Sequence, residues 1–490
     1  MAHSEGFVTD GTYGYLIDGA WRKAKGHTIA ILSPVDKKPV GNVQALSKAE
    51  VDEVFAAAAK AQIEWALMPL NKRAAILRKA ADELVADVDE LVPLLGREIA
   101  KDRDSARNEV IRTAELIRYS ADEGEHMRGE AISSETFPNN AKDRIAIVTR
   151  EPVGVVLAIS PFNYPINLAA SKIAPALIAG NAVVLKPATS GVISSLHLAD
   201  AFVKAGLPKG VLNVVTGRGS EIGDYLVTHP QVNFVNFTGS TKVGRGIAQK
   251  VGMVPLLLEL GGKDAAIVLA DADLDKAAQE IVEGAYSYSG QRCTAVKRVL
   301  AVESIATALV AKIKTKVEAL KVGNPASGAT ITPLINDKAA DYVASLIEDA
   351  QAKKAVVVTG GKREGNLLWP VLLDQVTKDM RIAWKEPFGP VLPIIRVKDA
   401  DEAVALANES RYGLQSAVFT KDLSAALSLA ARLQVGTVHI NGKTERGPDN
   451  FPFLGVKDSG MGTQGIRYSI EAMSRPKVVV LHEDGNETTL

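Results

Sequence analysis

The sequence predicts an α/β protein that has two parallel-sheet domains. Three observations lead to this prediction. The chain has 490 residues, which is more than one hydrophobic core usually serves. Short apolar runs alternate with helical segments in two separate series, and such alternation is typical of doubly wound parallel sheets. Two further strand-like segments belong to neither series.

The N-terminal part of the chain is expected to begin with strands and to continue with helices. Asp-Gly and Lys-Gly turns in the first 45 residues favour short antiparallel strands. Ser47-Lys-Ala-Glu50 has the pattern of a capping box, so an alanine-rich helix is expected to begin there. Apolar residues at helical spacing continue from residue 71 to residue 101, and Pro93 is expected to interrupt that helix.

The two alternating series define the expected sheets. The first is predicted to contain strand 153–160, helix 167–180, strand 182–185, helix 194–206, strand 211–216, helix 221–229 and strand 232–237. The second is predicted to contain strand 298–302, helix 304–320, strand 391–397, helix 401–408, strand 417–420, helix 424–433 and strand 437–440. Each series is long enough for one parallel sheet covered by helices on both faces.

Segments 144–150 and 477–482 alternate like strands but lie outside both series. They fit a protruding sheet that pairs between subunits, and they fit an ordinary edge hairpin equally well. The sequence leaves both interpretations open.

Composition excludes several classes of protein. Lys+Arg and Asp+Glu both number 57, so the chain has no global electrostatic footprint for nucleic acid. One cysteine rules out an intrachain disulfide framework and suits a reducing compartment. The first residues lack the basic and apolar regions of a signal peptide, and no run approaches the roughly 18 apolar residues of a spanning helix. The sequence therefore predicts a cytoplasmic protein without a membrane or nucleic-acid partner.

The only cysteine, Cys293, lies in the polar segment Tyr288-Ser-Gly-Gln-Arg-Cys-Thr-Ala-Val-Lys-Arg298. A structural cysteine usually lies in an apolar run and packs as a small hydrophobic side chain. The cations at Arg292, Lys297 and Arg298 are instead expected to favour the thiolate, which is the nucleophilic form. The segment therefore favours a catalytic nucleophile over a packing residue.

The segment Phe237-Thr-Gly-Ser-Thr-Lys-Val-Gly244 follows an apolar strand and opens a helix. Glycine allows the backbone to approach a ligand, and free N–H groups at a helix N-terminus bind phosphate. Arg245 stands where the Walker A loop of a nucleoside triphosphatase has lysine, and Gly246 stands where that loop has serine or threonine. These differences argue against a nucleoside triphosphatase. The segment fits a site for a phosphate-bearing cofactor, or alternatively a tight turn between strand and helix.

Two further polar residues lie at the ends of apolar strands. Glu259 follows three leucines, where desolvation would raise its pKa toward that of a useful general base, unless the carboxylate reaches solvent at the strand end. Asn163 follows the first strand of the first series and is suited to stabilise an oxyanion, or to close a turn between two prolines. The sequence contains no His-Glu-x-x-His zinc motif and no paired-cysteine site, so no metal is expected.

In combination these segments resemble the aldehyde dehydrogenase superfamily. The motifs follow the order of that family from about residue 20 to residue 480, and they are Pro161-Phe-Asn-Tyr-Pro165, Phe237-Thr-Gly-Ser-Thr241, Glu259-Leu-Gly-Gly-Lys263, Gly290-Gln-Arg-Cys293 and Glu386-Pro-Phe-Gly-Pro390. Segments 289–298 and 443–453 are most similar to the non-phosphorylating glyceraldehyde-3-phosphate dehydrogenases.

The resemblance implies a covalent mechanism. Cys293 would attack the aldehyde, Asn163 would hold the oxyanion, and Glu259 would activate the water that hydrolyses the thioester. The residues expected to bind the cofactor are Lys186, Thr189, Gly239, Ser240, Glu386 and Phe388. NADP is expected rather than NAD, because Thr189 stands where NAD-preferring relatives commonly have a glutamate that would repel the 2′-phosphate.

The resemblance also implies a substrate, D-glyceraldehyde 3-phosphate, oxidised irreversibly to 3-phosphoglycerate. Its phosphate would be held by Arg112, Tyr164, Arg292 and Arg446, since a guanidinium donates two hydrogen bonds to a phosphate. Arg292 also fits a salt bridge, and Arg112 fits a plain charged helix face. Another anionic aldehyde such as succinate semialdehyde is an alternative substrate. A non-catalytic binding or structural protein on the same scaffold is an alternative of another class.

The resemblance divides the chain by function. Residues 1–128 and 150–259 would form a Rossmann-like cofactor domain, and residues 260–462 a catalytic domain. Residues 129–149 and 463–490 would form an oligomerisation arm, and a homotetramer is expected.

Overall fold

The computed structural model of the protein describes residues 3–482, and its N-terminal part begins with six short strands. They are β1 (Val8–Thr9), β2 (Thr12–Tyr13), β3 (Tyr15–Ile17), β4 (Ala20–Arg22), β5 (Thr28–Leu32) and β6 (Pro39–Gln44). The pairs β1 with β2, β3 with β4, and β5 with β6 are antiparallel, which confirms the prediction for this segment.

Four helices follow, and they are α1 (Lys48–Leu67), α2 (Leu70–Ala86), α3 (Val88–Ile99) and α4 (Arg103–His126). The capping box is confirmed, because Ser47 Oγ accepts from the Glu50 N–H while the Glu50 carboxylate accepts from the Ser47 N–H. The prediction of a break at Pro93 is wrong. The chain turns at Asp87, and Pro93 lies inside α3. Burial of the apolar face of α3 outweighs the one backbone hydrogen bond that proline removes.

The next elements build the first large sheet and one strand pair of the arm. They are β7 (Glu130–Ser133), β8 (Arg144–Pro152), β9 (Val155–Ile159), α5 (Asn167–Ile178), β10 (Ala182–Lys186), α6 (Val192–Lys204), β11 (Leu212–Val214), α7 (Gly219–Val227), β12 (Phe234–Thr238), α8 (Thr241–Lys250) and β13 (Leu256–Glu259). Five strands are parallel in the order β13-β12-β9-β10-β11, and β3 and β4 extend the sheet antiparallel. The first predicted series is confirmed with ends shifted by a few residues.

The second large sheet and its helices lie between residues 265 and 440. The elements of this part of the chain are β14 (Ala265–Val268), α9 (Leu274–Tyr286), β15 (Arg298–Val302), α10 (Glu303–Glu318), α11 (Asp337–Ala352), β16 (Val356–Thr359), β17 (Arg363–Glu364), β18 (Leu367–Leu368), β19 (Val371–Asp374), β20 (Val391–Val397), α12 (Ala400–Asn408), β21 (Tyr412–Gly413), β22 (Gln415–Phe419), α13 (Leu423–Arg432) and β23 (Thr437–Ile440). Strands β17, β18 and β21 belong to separate two-stranded pairs. The strand order is β16-β19-β20-β15-β14-β22-β23. The elements of the predicted series are confirmed, but that series lacked α9, α11 and the strands β14, β16 and β19. Two of the four residues of β14 are alanines, which carry little strand propensity.

The last described residues form short strands, one helix and one long strand. They are β24 (Phe453–Leu454), β25 (Val456–Lys457), β26 (Gly460–Met461), β27 (Thr463–Gln464), α14 (Ile466–Ala472) and β28 (Ser474–His482). Strand β26 pairs antiparallel with β13 and becomes the eighth strand of the first sheet. The segment that follows the second sheet thus returns to the first, beside Glu259.

The two segments that fitted neither series form one separate sheet in the order β28-β8-β7. Strand β28 pairs with β8 along its whole length, from Ser474 opposite Pro152 to His482 opposite Arg144. Its valines at positions 478–480 are exposed. Pairing of this sheet between subunits stays a prediction, and residues 483–490 of the predicted arm lie outside the described residues. The predicted domain boundaries also stay predictions.

The first sheet places its polar strand ends together. Strands β9, β12 and β13 are parallel neighbours, so their carboxyl ends open at one edge of the sheet. Ser160, Gly239 and Glu259 lie at these ends. Helix α5, which starts just beyond this edge, is buried along its whole length. Within residues 3–482, each helix is either too short or too polar to span a bilayer.

Candidate active site

A cavity of about 440 Å³ opens at this edge of the first sheet. The loop between α9 and β15, which contains Cys293, forms one wall of the cavity, and the segment around Glu386 forms another. The predicted site residues that line it are Asn163, Gly239, Ser240, Glu259, Cys293, Glu386 and Phe388. The structure therefore brings together the three predicted catalytic residues and four of the six predicted cofactor residues.

An unusual backbone shape presents Cys293 to the cavity. Tyr288 and Ser289 have left-handed φ angles of 51° and 54°, a conformation that costs free energy for residues with a Cβ. The Tyr288 hydroxyl donates to the Ile99 carbonyl, and Ser289 Oγ donates to the Thr332 carbonyl, both in buried positions. These two hydrogen bonds hold the kink that turns the chain toward the nucleophile.

The structure corrects one expectation about Cys293. Burial raises the pKa of its thiol well above the usual range, and the Glu259 carboxylate raises it further. Lys297 and Arg446 act in the opposite direction but do not prevail. The prediction of a favoured thiolate is thus wrong in sign, because burial and the Glu259 carboxylate outweigh the cations. The Lys297 ammonium donates to the Cys293 carbonyl oxygen, and Arg298 donates to three other carbonyls. Cations paired in this way stabilise a thiolate less than free cations would.

Glu259 is a buried carboxyl group at the end of β13. It is 2% exposed, so the alternative in which it reaches solvent at the strand end is wrong. Among residues 3–482 neither carboxylate oxygen has a hydrogen-bond partner. Burial raises the pKa of Glu259, as the sequence predicted. An unpaired carboxylate with a raised pKa in a cavity is suited to accept a proton.

Asn163 faces Cys293 from the loop between β9 and α5. Its amide Nδ2 donates to the Gln291 carbonyl at 2.9 Å, and the residue is 3% exposed. Since an amide nitrogen carries two hydrogens, a second donor remains for an oxygen in the cavity. The Asn163 carbonyl accepts a hydrogen bond from buried Lys101 at 2.7 Å.

The opposite wall of the cavity has features that fit a dinucleotide. Ser240 caps α8 by accepting from the Val243 N–H, so the helix N-terminus opens beside Gly239. Glu386 accepts from the Gly262 N–H at 3.1 Å, and a Cβ on neighbouring Gly261 would collide with its carboxylate. Ser160 Oγ is buried without a partner among the described residues, as expected where a ligand supplies one.

Lys186 and Thr189 are not among the residues that line the cavity, although neighbouring Ala188 is. Lys186 ends β10, and its Nζ donates to the Pro187 carbonyl at 2.7 Å. Burial lowers its pKa to about 8. Thr189 is half-buried. Their position at the carboxyl end of β10, next to β9, is compatible with contact to the distant end of a long cofactor.

A second cavity of about 430 Å³ contains two of the predicted arginines. Arg112 makes a two-pronged hydrogen bond to Asp449 at 2.6 and 2.9 Å. Arg446 Nε lies 3.6 Å from the same carboxylate, while Arg446 Nη1 is buried without a partner among residues 3–482. The positive charge of Arg446 lowers the pKa of both Glu259 and Cys293, although Arg446 does not line the cavity that contains them.

The other two predicted phosphate ligands differ from each other. Tyr164 is close enough to Arg112 to affect the pKa of that guanidinium. Arg292 is not among the residues that line the cavity of Arg112 and Arg446, and its guanidinium donates to the Gly284 carbonyl. Within the described residues Arg292 forms no salt bridge, and its Nε is buried without a partner.

Sequence reasoning missed two charged residues that belong to the site. Lys172 is buried in α5 and donates to Asn236 and Thr238, and burial lowers its pKa to about 7. Its signal was a lone charge in an apolar helix. Asp449 pairs with both arginines of the second cavity, and the corresponding signal was a carboxylate three residues after Arg446.

Known proteins are similar to this chain in sequence and in fold. The NADP-dependent glyceraldehyde-3-phosphate dehydrogenase of Streptococcus equinus is 58% identical over 96% of this chain and 98% of its own length. The pea (Pisum sativum) protein of that name is 50% identical over 97% of this chain and 96% of its own length. The crystal structure of the Bacillus halodurans protein of that name, complexed with NADP, has a TM-score of 0.95 and 52% identity, over 96% of this chain and 99% of that chain.

The sequence model of the aldehyde dehydrogenase family matches residues 21–479, a range that contains every catalytic candidate. Family match, relatives and site geometry agree, and the chain belongs to the aldehyde dehydrogenase family.

Proposed function

We propose that this protein oxidises D-glyceraldehyde 3-phosphate to 3-phosphoglycerate with NADP and without forming an acyl phosphate. One observation carries the proposal: a thiol, a buried carboxyl and an amide donor share a cavity, and Arg446, which lines a second cavity together with Arg112, acts electrostatically on that thiol and carboxyl. An aldehyde carbon bound at the thiol can thus extend an anionic group toward the guanidinium groups. Relatives at 50–58% identity are named NADP-dependent glyceraldehyde-3-phosphate dehydrogenase.

The first chemical step belongs to Cys293. Its thiolate attacks the aldehyde carbon and forms a thiohemiacetal, whose oxyanion accepts hydrogen bonds from the free Asn163 N–H and from the Cys293 backbone N–H. Because burial raises the pKa of the thiol, Lys297 and Arg446 are needed to oppose that shift. These cations contribute by favouring the thiolate without contacting the sulfur.

NADP supplies the acceptor for the hydride that leaves the thiohemiacetal. Gly239 and Ser240 would hold its pyrophosphate at the N-terminus of α8, and Glu386 and Phe388 would hold the nicotinamide ribose. The backbone N–H of Gly262 and the ammonium of Lys297 fix the Glu386 carboxylate on that side of the cavity.

At the end of β10, Lys186 and Thr189 would contact the adenosine ribose and its 2′-phosphate. A neutral hydroxyl at position 189 can donate a hydrogen bond to a 2′-phosphate, whereas a carboxylate there would repel the phosphate.

Glu259 completes the reaction. Its unpaired carboxylate accepts a proton from water, the resulting hydroxide attacks the thioester, and the acid leaves while Cys293 recovers its thiolate. Hydrolysis of the thioester makes the oxidation irreversible. Since Glu259 is deeply buried, its raised pKa keeps it basic enough for this step.

Arg112, Arg446 and Tyr164 would hold the substrate phosphate, and Arg292 would assist from the loop of Cys293. A second candidate substrate is favoured by one relative, the 3-sulfolactaldehyde dehydrogenase of Priestia aryabhattai, which is 39% identical over 96% of this chain. A sulfonate presents the same tetrahedral arrangement of oxygens to guanidinium groups, with one charge fewer than a fully ionised phosphate.

Steady-state rates of NADPH formation test the proposal. We expect glyceraldehyde 3-phosphate to give the highest kcat/KM when compared with 3-sulfolactaldehyde and succinate semialdehyde, in buffer without inorganic phosphate. A preference for either other aldehyde would reassign the substrate. A rate that requires phosphate would reject the hydrolytic route. No NADPH with any of the three would favour the non-catalytic alternative.

We also propose a homotetramer in the cytoplasm. The exposed valines of β28 and the outer edge of that strand, which has no strand partner within residues 3–482, support assembly, because such an edge is open to pairing with a second copy. The single cysteine supports a reducing compartment. Sedimentation analysis at micromolar concentration tests the assembly, and a monomer would reject it.

A further inference from the structure

We infer that the buried ion pair of Lys101 and Glu109 positions both catalytic loops, the loop of Asn163 and the loop of Cys293. This inference rests on the proposed function, because it assigns the pair a role in that reaction. Neither residue contacts the cavity of Cys293. Both side chains have no exposed surface, so water does not compete for their hydrogen bonds.

Lys101 holds the loop of Asn163 by its backbone. It follows Ala100, whose left-handed φ of 53° ends α3 and directs the next side chain inward. Its Nζ donates to the Asn163 carbonyl at 2.7 Å and also to the Glu109 carboxylate. The acceptor of this hydrogen bond, Asn163, is the residue whose side-chain amide would hold the oxyanion. It directly precedes Tyr164, the proposed phosphate ligand.

The same ammonium group touches two aromatic rings that belong to different loops. Lys101 Nζ lies 3.6 Å from the centre of the Tyr164 ring and 4.7 Å from the centre of the Tyr288 ring. Tyr288 is the first left-handed residue of the kink that presents Cys293. A desolvated cation is attracted to the electron-rich face of an aromatic ring. One charge therefore links the oxyanion loop and the nucleophile loop, in addition to the hydrogen bond from Asn163 to Gln291.

Glu109 holds the other side of the oxyanion loop. Its Oε1 accepts from the N–H groups of Ile166 and Asn167, at 3.0 and 3.1 Å. These are the groups at the start of α5. Together, Lys101 and Glu109 bind the backbone on both sides of the turn that contains Asn163 and Tyr164. The turn has no other charged support among the hydrogen bonds of the described residues.

The consequence for catalysis follows from distances. The Asn163 amide must lie within hydrogen-bond reach of an oxygen on the carbon that Cys293 attacks. A displacement of 1 Å in such an arrangement costs about 10²-fold in rate. Loss of the Lys101 charge releases the Asn163 carbonyl and removes the cation from both rings, so each loop loses one of its supports while the hydrogen bonds of Tyr288, Ser289 and Glu109 remain.

The variant Lys101→Met tests this role. We expect kcat for glyceraldehyde 3-phosphate to fall by about 10²-fold. KM for that aldehyde should rise, because Tyr164 loses its support, while the dissociation constant for NADP should stay within about twofold because no cofactor residue contacts the pair. Rapid mixing should show a slower NADPH burst, which locates the defect in the step that needs the oxyanion donor.

A second variant guards against loss of folding. Lys101→Met leaves Glu109 as a buried, unpaired charge, whereas Lys101→Met/Glu109→Gln is neutral and keeps an oxygen for the Ile166 and Asn167 N–H groups. The double variant should fold with a thermal midpoint near that of the wild type and still show the loss in kcat. Lys204→Met is the matched control, because Lys204 forms a part-buried pair with Asp87 at 2.9 Å, outside the catalytic loops.

The outcomes separate the two proposals. A wild-type protein that does not oxidise glyceraldehyde 3-phosphate rejects the proposed function. An active wild type, combined with a folded double variant whose kcat and burst rate are unchanged, rejects the positioning role. Equal losses in the double variant and in Lys204→Met would also reject it, since both would then report a general loss of stability. A loss of kcat confined to the Lys101 variants supports it.

Discussion

Arg446→Gln is the substitution that most directly tests how the substrate is recognised. Arg446 Nη1 is buried without a partner among the described residues, and its guanidinium lies over the Phe453 ring at 5.0 Å. Asp449 keeps its two hydrogen bonds to Arg112 when Arg446 is replaced. The variant therefore removes a free donor and a charge without leaving a buried carboxylate unpaired, and the fold should persist.

The magnitude follows from the one donor that the structure leaves free. A hydrogen bond to a charged group contributes about 1.5–3 kcal/mol. Since 1.36 kcal/mol corresponds to a factor of ten in rate, kcat/KM for glyceraldehyde 3-phosphate should fall by about 10- to 150-fold. Unphosphorylated glyceraldehyde makes no such bond, so its kcat/KM should change much less. The lost cation also raises the pKa of Cys293 and of Glu259, which shifts the pH profile for both aldehydes equally.

Initial rates of NADPH absorbance, measured for both aldehydes over a range of pH, separate these two effects. The matched control is Arg432→Gln, because Arg432 forms an exposed pair with Asp401 at 2.7 Å. We expect the control to behave as the wild type with both aldehydes. An equal fall in kcat/KM for the phosphorylated and the unphosphorylated aldehyde would refute the assignment of Arg446 to the phosphate.

Three further predictions concern the catalytic and cofactor residues. Glu259→Ala should release one burst of NADPH and then turn over about 10²- to 10⁴-fold more slowly, because hydrolysis loses its base while the loss of a negative charge lowers the pKa of Cys293. In the wild type, kcat/KM should rise with pH and fall as pH is lowered, because burial raises the pKa of Cys293 and of Glu259 and both act without their protons. Thr189→Glu should shift the ratio of kcat/KM for NADP over NAD toward NAD by about tenfold or more, because a carboxylate repels the 2′-phosphate.

Each of these predictions has an opposing result. The absence of a burst in Glu259→Ala under rapid mixing would mean that the carboxylate also serves acylation. A rate that declines from acid to neutral pH would contradict the raised pKa values. An unchanged cofactor ratio in Thr189→Glu, with Thr189→Ser as the control, would remove position 189 from the 2′-phosphate site.

Local patterns were sufficient for most elements of the fold. The capping box at Ser47 depends on groups three residues apart, and the alternating strands and helices of both sheets depend on short-range periodicity. The break near Pro93 was misplaced because burial of α3 against the core, which the local sequence does not contain, outweighs the preference of proline. Strand β14 was missed because its place between β15 and β22, inside the second sheet, decides its conformation.

Residue types were enough to mark the catalytic candidates, since a single cysteine, a glutamate after leucines and an asparagine after a strand were each visible in the chain. Their electrostatics and their neighbours depend on how distant segments pack together. Cys293 is adjacent to three cations in sequence, yet its pKa is raised, because burial and Glu259 outweigh cations that are bonded to carbonyl oxygens. A pKa depends on desolvation and on distances between groups that are far apart in the chain. The effect of Arg446 on the pKa of Glu259 is one such long-range contribution.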